Sequence, residues 1–161
     1  MSQVRFAEIQ DIPGLVELGR QIHVQSRYAW MQFNASRLWT SLNAAIANKQ
    51  HCVIVATDHA VEVDASSSKL TGVLWGSANG LPFSSERVVQ INYLYVIPKR
   101  RGTPAAMKMM AGLRRWSHNR EVAEILLPNA FGTDEVYSAK LLAKLGLKAV
   151  GGVHSMWVDR Q

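Results

Sequence analysis

Apolar and polar positions along the chain change their spacing several times, and each change marks an element. Val4–Ile9 alternates loosely and predicts a first strand. Asp11 follows as a helix cap with Pro13 in the first turn, where a missing N–H costs nothing, and Ile12, Leu15, Leu18 and Ile22 recur at helical spacing. A second helix is expected from the N-cap Asn34 to about Lys49, with Leu38, Leu42, Ala45 and Ile46 on one face. Between the two helices lies Ser26-Arg-Tyr-Ala-Trp-Met-Gln-Phe. It reads first as apolar side chains closing the core under a loop, and second as one wall of an acceptor pocket.

His51–Thr57 and Leu70–Ser77 are rich in Val, Ile, Leu and Trp and flank the polar segment Asp58–Lys69, which predicts an antiparallel hairpin with a long connection. Arg87–Pro98 is the most strand-like run and is expected in the centre of the sheet. From Pro104 to about Asn119, Ala105, Met109, Gly112, Leu113 and Trp116 share one helical face, with Lys108 and Arg115 on the solvated other face. Val122–Leu127 predicts a strand, Glu135–Leu145 a short helix stopped by Gly146, and Leu147–Val158 one or two closing strands around Gly151-Gly152. The resulting order is β α α β β β α β α β β, an α/β pattern without internal repeats.

A chain of 161 residues suits a single domain, residues 1–161, that buries its core without disulfides or metal. Its one cysteine, Cys52, has no internal partner and sits in a strand-like run, so it reads as inert packing. The first residues lack the apolar region of a signal peptide, and no apolar run approaches the roughly 20 residues that cross a bilayer. The expectation is a cytoplasmic protein with no membrane partner. Five dispersed histidines and one cysteine, without His-x-x-x-His or Cys-x-x-Cys spacing, supply no metal site. A nucleophile elbow and a Walker loop are absent too.

A net charge of +6 favours an anionic partner. A nucleic-acid reading finds no groove-reading helix and no interleaved stacking motif. Lys99, Arg100 and Arg101, by contrast, are consecutive, directly after the strand ending Val-Ile-Pro98 and before Gly102-Thr-Pro-Ala-Ala, which opens a helix. Helix N-termini present unpaired N–H groups and a partial positive charge, so such a turn suits phosphate. Thr103 is expected at the N-cap and Pro104 at the first helical position.

The run Tyr93-Leu-Tyr-Val-Ile-Pro-Lys-Arg-Arg-Gly-Thr-Pro-Ala-Ala resembles the central motif of the GCN5-related N-acetyltransferases, a strand ending Val-x-Pro followed by Arg/Gln-x-x-Gly-x-Gly/Ala. Arg101 takes the Arg/Gln place, Ala106 the final small residue, and Pro104 replaces the middle glycine. Lys144-Leu-Gly-Leu stands at the family's Lys-x-Gly-Phe, followed by His154-Ser-Met-Trp-Val. The resemblance implies a mixed, mostly antiparallel central sheet flanked by helices, and acetyl-CoA as the acetyl donor. It implies that the pyrophosphate rests on backbone N–H groups of Arg101, Gly102, Thr103, Ala105 and Ala106, with Lys99 or Arg100 available to other phosphates. The pantetheine arm would lie beside Leu94, Tyr95 and Val96, with the Val96 N–H at the thioester carbonyl, where a fixed donor stabilises developing negative charge. Asn129 is expected either as a pantetheine contact or as a loop cap.

In that family an amine attacks the thioester directly. The place of its frequent tyrosine acid falls on Leu142, which donates no proton, leaving Tyr137 and Ser138 on the same predicted helix as candidates. The place of the histone-type glutamate base falls on Gln90, which can hold a water but cannot titrate. Strand alternation puts Gln90 and Asn92 on one face and Tyr93 and Tyr95 on the other. His118 and His154 read as surface or structural histidines, and Asp134-Glu135 as a helix-start pair. The implied function is acetyl-CoA-dependent N-acetyl transfer to a primary amine, with a small molecule favoured over a protein and a homodimer left open. The alternative is a catalytically degenerate coenzyme A-binding or partner-binding module of the same fold, suggested by Leu142, Gln90 and Pro104.

Overall fold

Cys52, Ile54 and Ala56 face one side of their strand and Val53 and Val55 the other, and all five are buried, so this strand needs cover on both faces. A computed structural model describes residues 2–58, 69–128 and 139–158 and supplies that cover. In chain order the elements are β1 (Ser2–Phe6), α1 (Ile12–Gln25), α2 (Ala35–Ala47), β2 (His51–Asp58), β3 (Leu70–Leu81), β4 (Ser84–Val96), α3 (Ala105–His118), β5 (Val122–Leu126) and α4 (Ala139–Lys144). The sheet runs β1-β2-β3-β4-β5, antiparallel throughout except for the parallel pair β4–β5. Ile12, Leu15, Leu18 and Ile22 of α1 and Leu42 and Ala45 of α2 cover one face. Met109, Met110, Leu113 and Trp116 of α3 cover the other. The helix faces expected from spacing are therefore the buried ones.

The ends of the elements follow local chemistry. Asn34 caps α2 by accepting the Arg37 N–H at 2.8 Å. Asp11 precedes α1 as expected, but its carboxylate does not cap that helix. It takes both guanidinium nitrogens of Arg5, at 2.6 and 2.8 Å, and the Glu8 N–H at 2.8 Å. The turn over Ile9–Asp11 that these bonds close ends β1 at Phe6 rather than Ile9. Burial alone would raise the Asp11 pKa, but the hydrogen bonds from Arg5 and Glu8 and the Arg5 charge outweigh it and hold the carboxyl below its ordinary value. A depressed carboxylate contributes stability above its unfolded pKa and loses it as pH falls through the folded one. Asp11→Asn is accordingly expected to cost about 2–3 kcal/mol at pH 7, below a fully buried pair because Arg5 is partly exposed. Urea melts from pH 7 down to pH 3 should show the difference shrinking as the wild-type carboxyl protonates.

Three expectations from spacing need correction. β3 and β4 extend to Leu81 and Ser84 around a tight turn, because pairing satisfies the backbone of the polar residues that sequence alone leaves outside strands. Residues 147–158 form no strand. The Gly151-Gly152 pair offers no side chains to pack, and Val153, Met156 and Val158 are exposed, so no burial offsets the entropy of pairing. What holds this segment is Trp157, edge-on to Tyr28 and Trp30, and the Arg27 hydrogen bond to Ser155 at 2.8 Å. Gly146 stops α4 as expected, in the left-handed region at φ +81°, with the Leu147 N–H returning to the Leu142 carbonyl at 2.9 Å. The expected start of that helix at Glu135 lies outside the described residues.

The third correction positions the site. Trp75 pairs with Tyr93 and Gly76 with Ile91, so Asn92 is an extra residue in β4, a β-bulge. Side chains before and after it fall out of phase. Val89 and Ile91, then Leu94 and Val96, face α3, while Tyr93 and Tyr95 face α1 and α2. Gln90 lines the same cavity as Tyr93, not the opposite face.

Candidate functional site

β5 accompanies β4 only from Arg87 to Gln90. Beyond Gln90 no strand among the described residues pairs with β4 on that side, and two cavities lie about this opening. The first holds about 360 Å³. Leu94 and Val96 form its β4 wall, Arg100 to Pro104 its turn, Ala106 and Met107 the start of α3, and Leu141 and Lys144 its α4 wall. Gly102 makes the turn at φ +83°, a left-handed conformation that costs other residues roughly 1–2 kcal/mol. The first intrahelical bond of α3 runs from the Lys108 N–H to the Pro104 carbonyl at 2.9 Å. Pro104 thus sits at the N-cap, one position earlier than expected, because its own carbonyl opens the ladder. Thr103 instead donates its hydroxyl to the Arg100 carbonyl at 2.7 Å and tightens the turn.

The N–H groups of Gly102, Ala106 and Met107 have no acceptor among the described residues. Arg100 is tied to Asp58 at the end of β2, with its Nε 2.6 Å from the carboxylate. Arg101 folds across the end of β4, its Nε bonding the Val96 carbonyl at 3.3 Å and its guanidinium lying over the Tyr95 ring. Of the residues expected to hold the coenzyme, Leu94, Val96, Arg100, Arg101, Gly102, Thr103 and Ala106 line this one cavity. Tyr95, Lys99 and Ala105 do not. The bulge turns Tyr95 to the other face, where its hydroxyl accepts from Gln25 at 3.0 Å; Lys99 is exposed; Ala105 is buried against the sheet. Asn129, Tyr137 and Ser138 lie outside the described residues, as do Asp134 and Glu135. Met107, Leu141 and Lys144 were missed as lining residues, although Lys144 stands in the recognised Lys-Leu-Gly motif.

The second cavity, about 650 Å³, lies on the face covered by α1 and α2. Gln90, Ile91, Asn92 and Tyr93 form its floor, Trp75 a side wall, and Ser26, Tyr28, Met31, Gln32 and Phe33 its rim. The aromatic stretch between the helices therefore borders a cavity rather than only closing the core. The Trp75 indole N–H donates to His51 Nδ1 at 3.1 Å, which fixes that wall, and the Tyr93 ring lies 5.7 Å from Trp75. Burial raises the Tyr93 pKa, so its phenol is neutral at physiological pH. Burial likewise pushes the Cys52 thiol up to about 12, and Cys52 lines neither of these cavities. His23 of α1 also lines the second cavity, and its Nε2 is buried without a hydrogen-bond partner among the described residues. Sequence spacing marked only the apolar face of α1 and gave no reason to single it out. Among the described residues no carboxylate lines either cavity, and none form a metal-binding cluster.

A sheet of this order with a bulged fourth strand parting from the fifth, and a helix N-terminus at the opening, is the fold of the GCN5-related N-acetyltransferases. The sequence itself matches no protein-family model and no curated protein. Its fold is similar to that of AAC(6')-Iy in complex with the bisubstrate analogue CoA-S-monomethyl-acetylneamine, with a TM-score of 0.75 and 15% identity over 100% of this chain and 99% of that one. Glucosamine-6-phosphate N-acetyltransferase from Arabidopsis thaliana gives 0.73 and 15% over 99% of both chains. A structure described as a predicted acetyltransferase with acetyl-CoA, from Clostridium acetobutylicum, gives 0.70 and 18% over 100% and 96%. Among the described residues no helix is long and apolar enough to cross a membrane.

Proposed function

We propose that the protein is an acetyl-CoA-dependent N-acetyltransferase acting on a primary amine. The observation that carries this reading is the pair of cavities at the parting of β4 and β5, one built for an anion and the other largely apolar. The first suits coenzyme A on its own chemistry: N–H groups at Gly102, Ala106 and Met107 without an acceptor among the described residues, the cations Arg101 and Lys144, and apolar Leu94, Val96 and Leu141 beside them. Gly102, Ala106 and Met107 would hold the pyrophosphate and Leu94 and Val96 the pantetheine arm. The donor supplies an acetyl group activated as a thioester. Gln90, exposed on the cavity floor, holds a water that accepts the amine proton, while Tyr137 and Ser138 remain the proposed source of the proton for the departing thiolate. Leu142 in place of a tyrosine favours the second reading, a module of this fold that binds coenzyme A without turnover.

Calorimetry with acetyl-CoA tests both readings, since each requires the coenzyme to bind. A micromolar Kd is expected, weakened at least about tenfold, or 1.4 kcal/mol, by Arg101→Glu. Thiol release with an amine panel then distinguishes enzyme from module. Absence of heat at saturating acetyl-CoA would remove both readings.

A further inference from the structure

We infer that the second cavity selects a single primary amine carried on an apolar, ring-sized body that bears an anionic group, and not a polyamine or an aminoglycoside. This deepens the acetyltransferase reading and rests on it. At about 650 Å³ the space suits a small ligand, and Leu15, Ile22, Phe33, Leu42, Trp75 and Tyr93 make most of it apolar. A polycation would bring several ammonium groups against these walls, where the described residues offer no carboxylate, and each unpaired charge taken from water is strongly disfavoured. A single amine has the opposite experience. Burial disfavours its ammonium form, lowers its pKa and favours the nucleophilic free base beside Gln90 and Asn92.

The charge at the rim is positive. Arg37, on the first turn of α2, lines the cavity, and its guanidinium makes no ion pair or hydrogen bond among the described residues. Arg20 lies over the Phe33 ring, 4.6 Å from its centroid, but is ion-paired with Glu17 at 3.6 Å and does not line the cavity, so Arg37 is the rim's unpaired cation among the described residues. An unpaired guanidinium at an apolar mouth recognises a carboxylate or similar anion by a two-pronged hydrogen bond.

The test uses 4-(aminomethyl)benzoate, benzylamine and spermidine as probes, with binding followed by calorimetry and turnover by thiol release in the presence of acetyl-CoA. The carboxylate-bearing amine is expected to bind at least about tenfold tighter than either other probe, and Arg37→Glu to remove that gain while leaving acetyl-CoA affinity unchanged. Spermidine binding as tightly as the benzoate, a preference indifferent to Arg37→Glu, or no binding of any probe at millimolar concentration overturns the inference. Loss of acetyl-CoA binding alone overturns the acetyltransferase reading and leaves the probe comparison to decide this one.

Discussion

Ala106→Glu is expected to leave the protein folded and to weaken acetyl-CoA binding by about a hundredfold or more, roughly 2.7 kcal/mol. Ala106 stands in the first turn of α3, lines the smaller cavity and offers an N–H without an acceptor. A glutamate there sets a negative charge where a diphosphate would lie, and it can pair with Arg101 or Lys144 and occupy the cations as well. The same charge sits favourably at a helix N-terminus, worth about 0.3–1 kcal/mol, so stability should hold or rise. Binding and stability thus move in opposite directions, which a merely misfolded variant cannot imitate. Calorimetry and thermal melting on the same preparation give both numbers. A folded Ala106→Glu variant with unchanged acetyl-CoA affinity would place the diphosphate elsewhere.

Deleting Asn92 is expected to cost on the order of 5 kcal/mol, whereas Asn92→Ala should stay within about 1 kcal/mol of wild type. The deletion removes the extra residue of β4, so the strand on one side of the cut must turn over. Either Leu94 and Val96 leave the α3 face and Tyr93 and Tyr95 enter it, or Val89 and Ile91 leave. At least two buried apolar side chains lose their cover, each worth about 1.5–3 kcal/mol. The alanine variant keeps the residue count and loses only the side-chain contacts with the Ser77 hydroxyl, which accepts from the Asn92 amide at 3.1 Å and donates to its Oδ1 at 3.4 Å. Urea denaturation reads both. A deletion variant as stable as wild type would mean that β4 has no fixed register at this point.

The bulge also shows where sequence reading succeeds and where it stops. The buried faces of α1, α2 and α3 were legible because each rests on one periodicity within one element, and Asn34 was legible because capping is local. The turn at Gly102 was legible because glycine, three cations and a helix start are consecutive. Assigning Tyr93 and Tyr95 to one face and Gln90 to the other assumed an unbroken two-residue period. A signal was present nonetheless: Val89 and Ile91 are spaced by two, Leu94 and Val96 by two, but Ile91 and Leu94 by three. That offset is what an inserted residue leaves behind. The larger cavity had no such trace. Its walls come from two helices, a loop and two strands, and His23 and Arg37 meet there only because α1 and α2 pack on the same face. Nor could charge runs show that Arg100 turns away to Asp58, which lies 42 residues earlier in the chain.

The early parting of β4 and β5 gives a small ligand an architectural part to play. Among the described residues no strand follows β4 beyond Gln90 on that side, and a strand edge is a template on which another chain can add. A coenzyme arm carrying its own amide groups would lie there as a surrogate strand and close the row. The donor molecule would then be scaffolding as well as reagent. Any ligand held only by the folded form raises that form's stability by mass action.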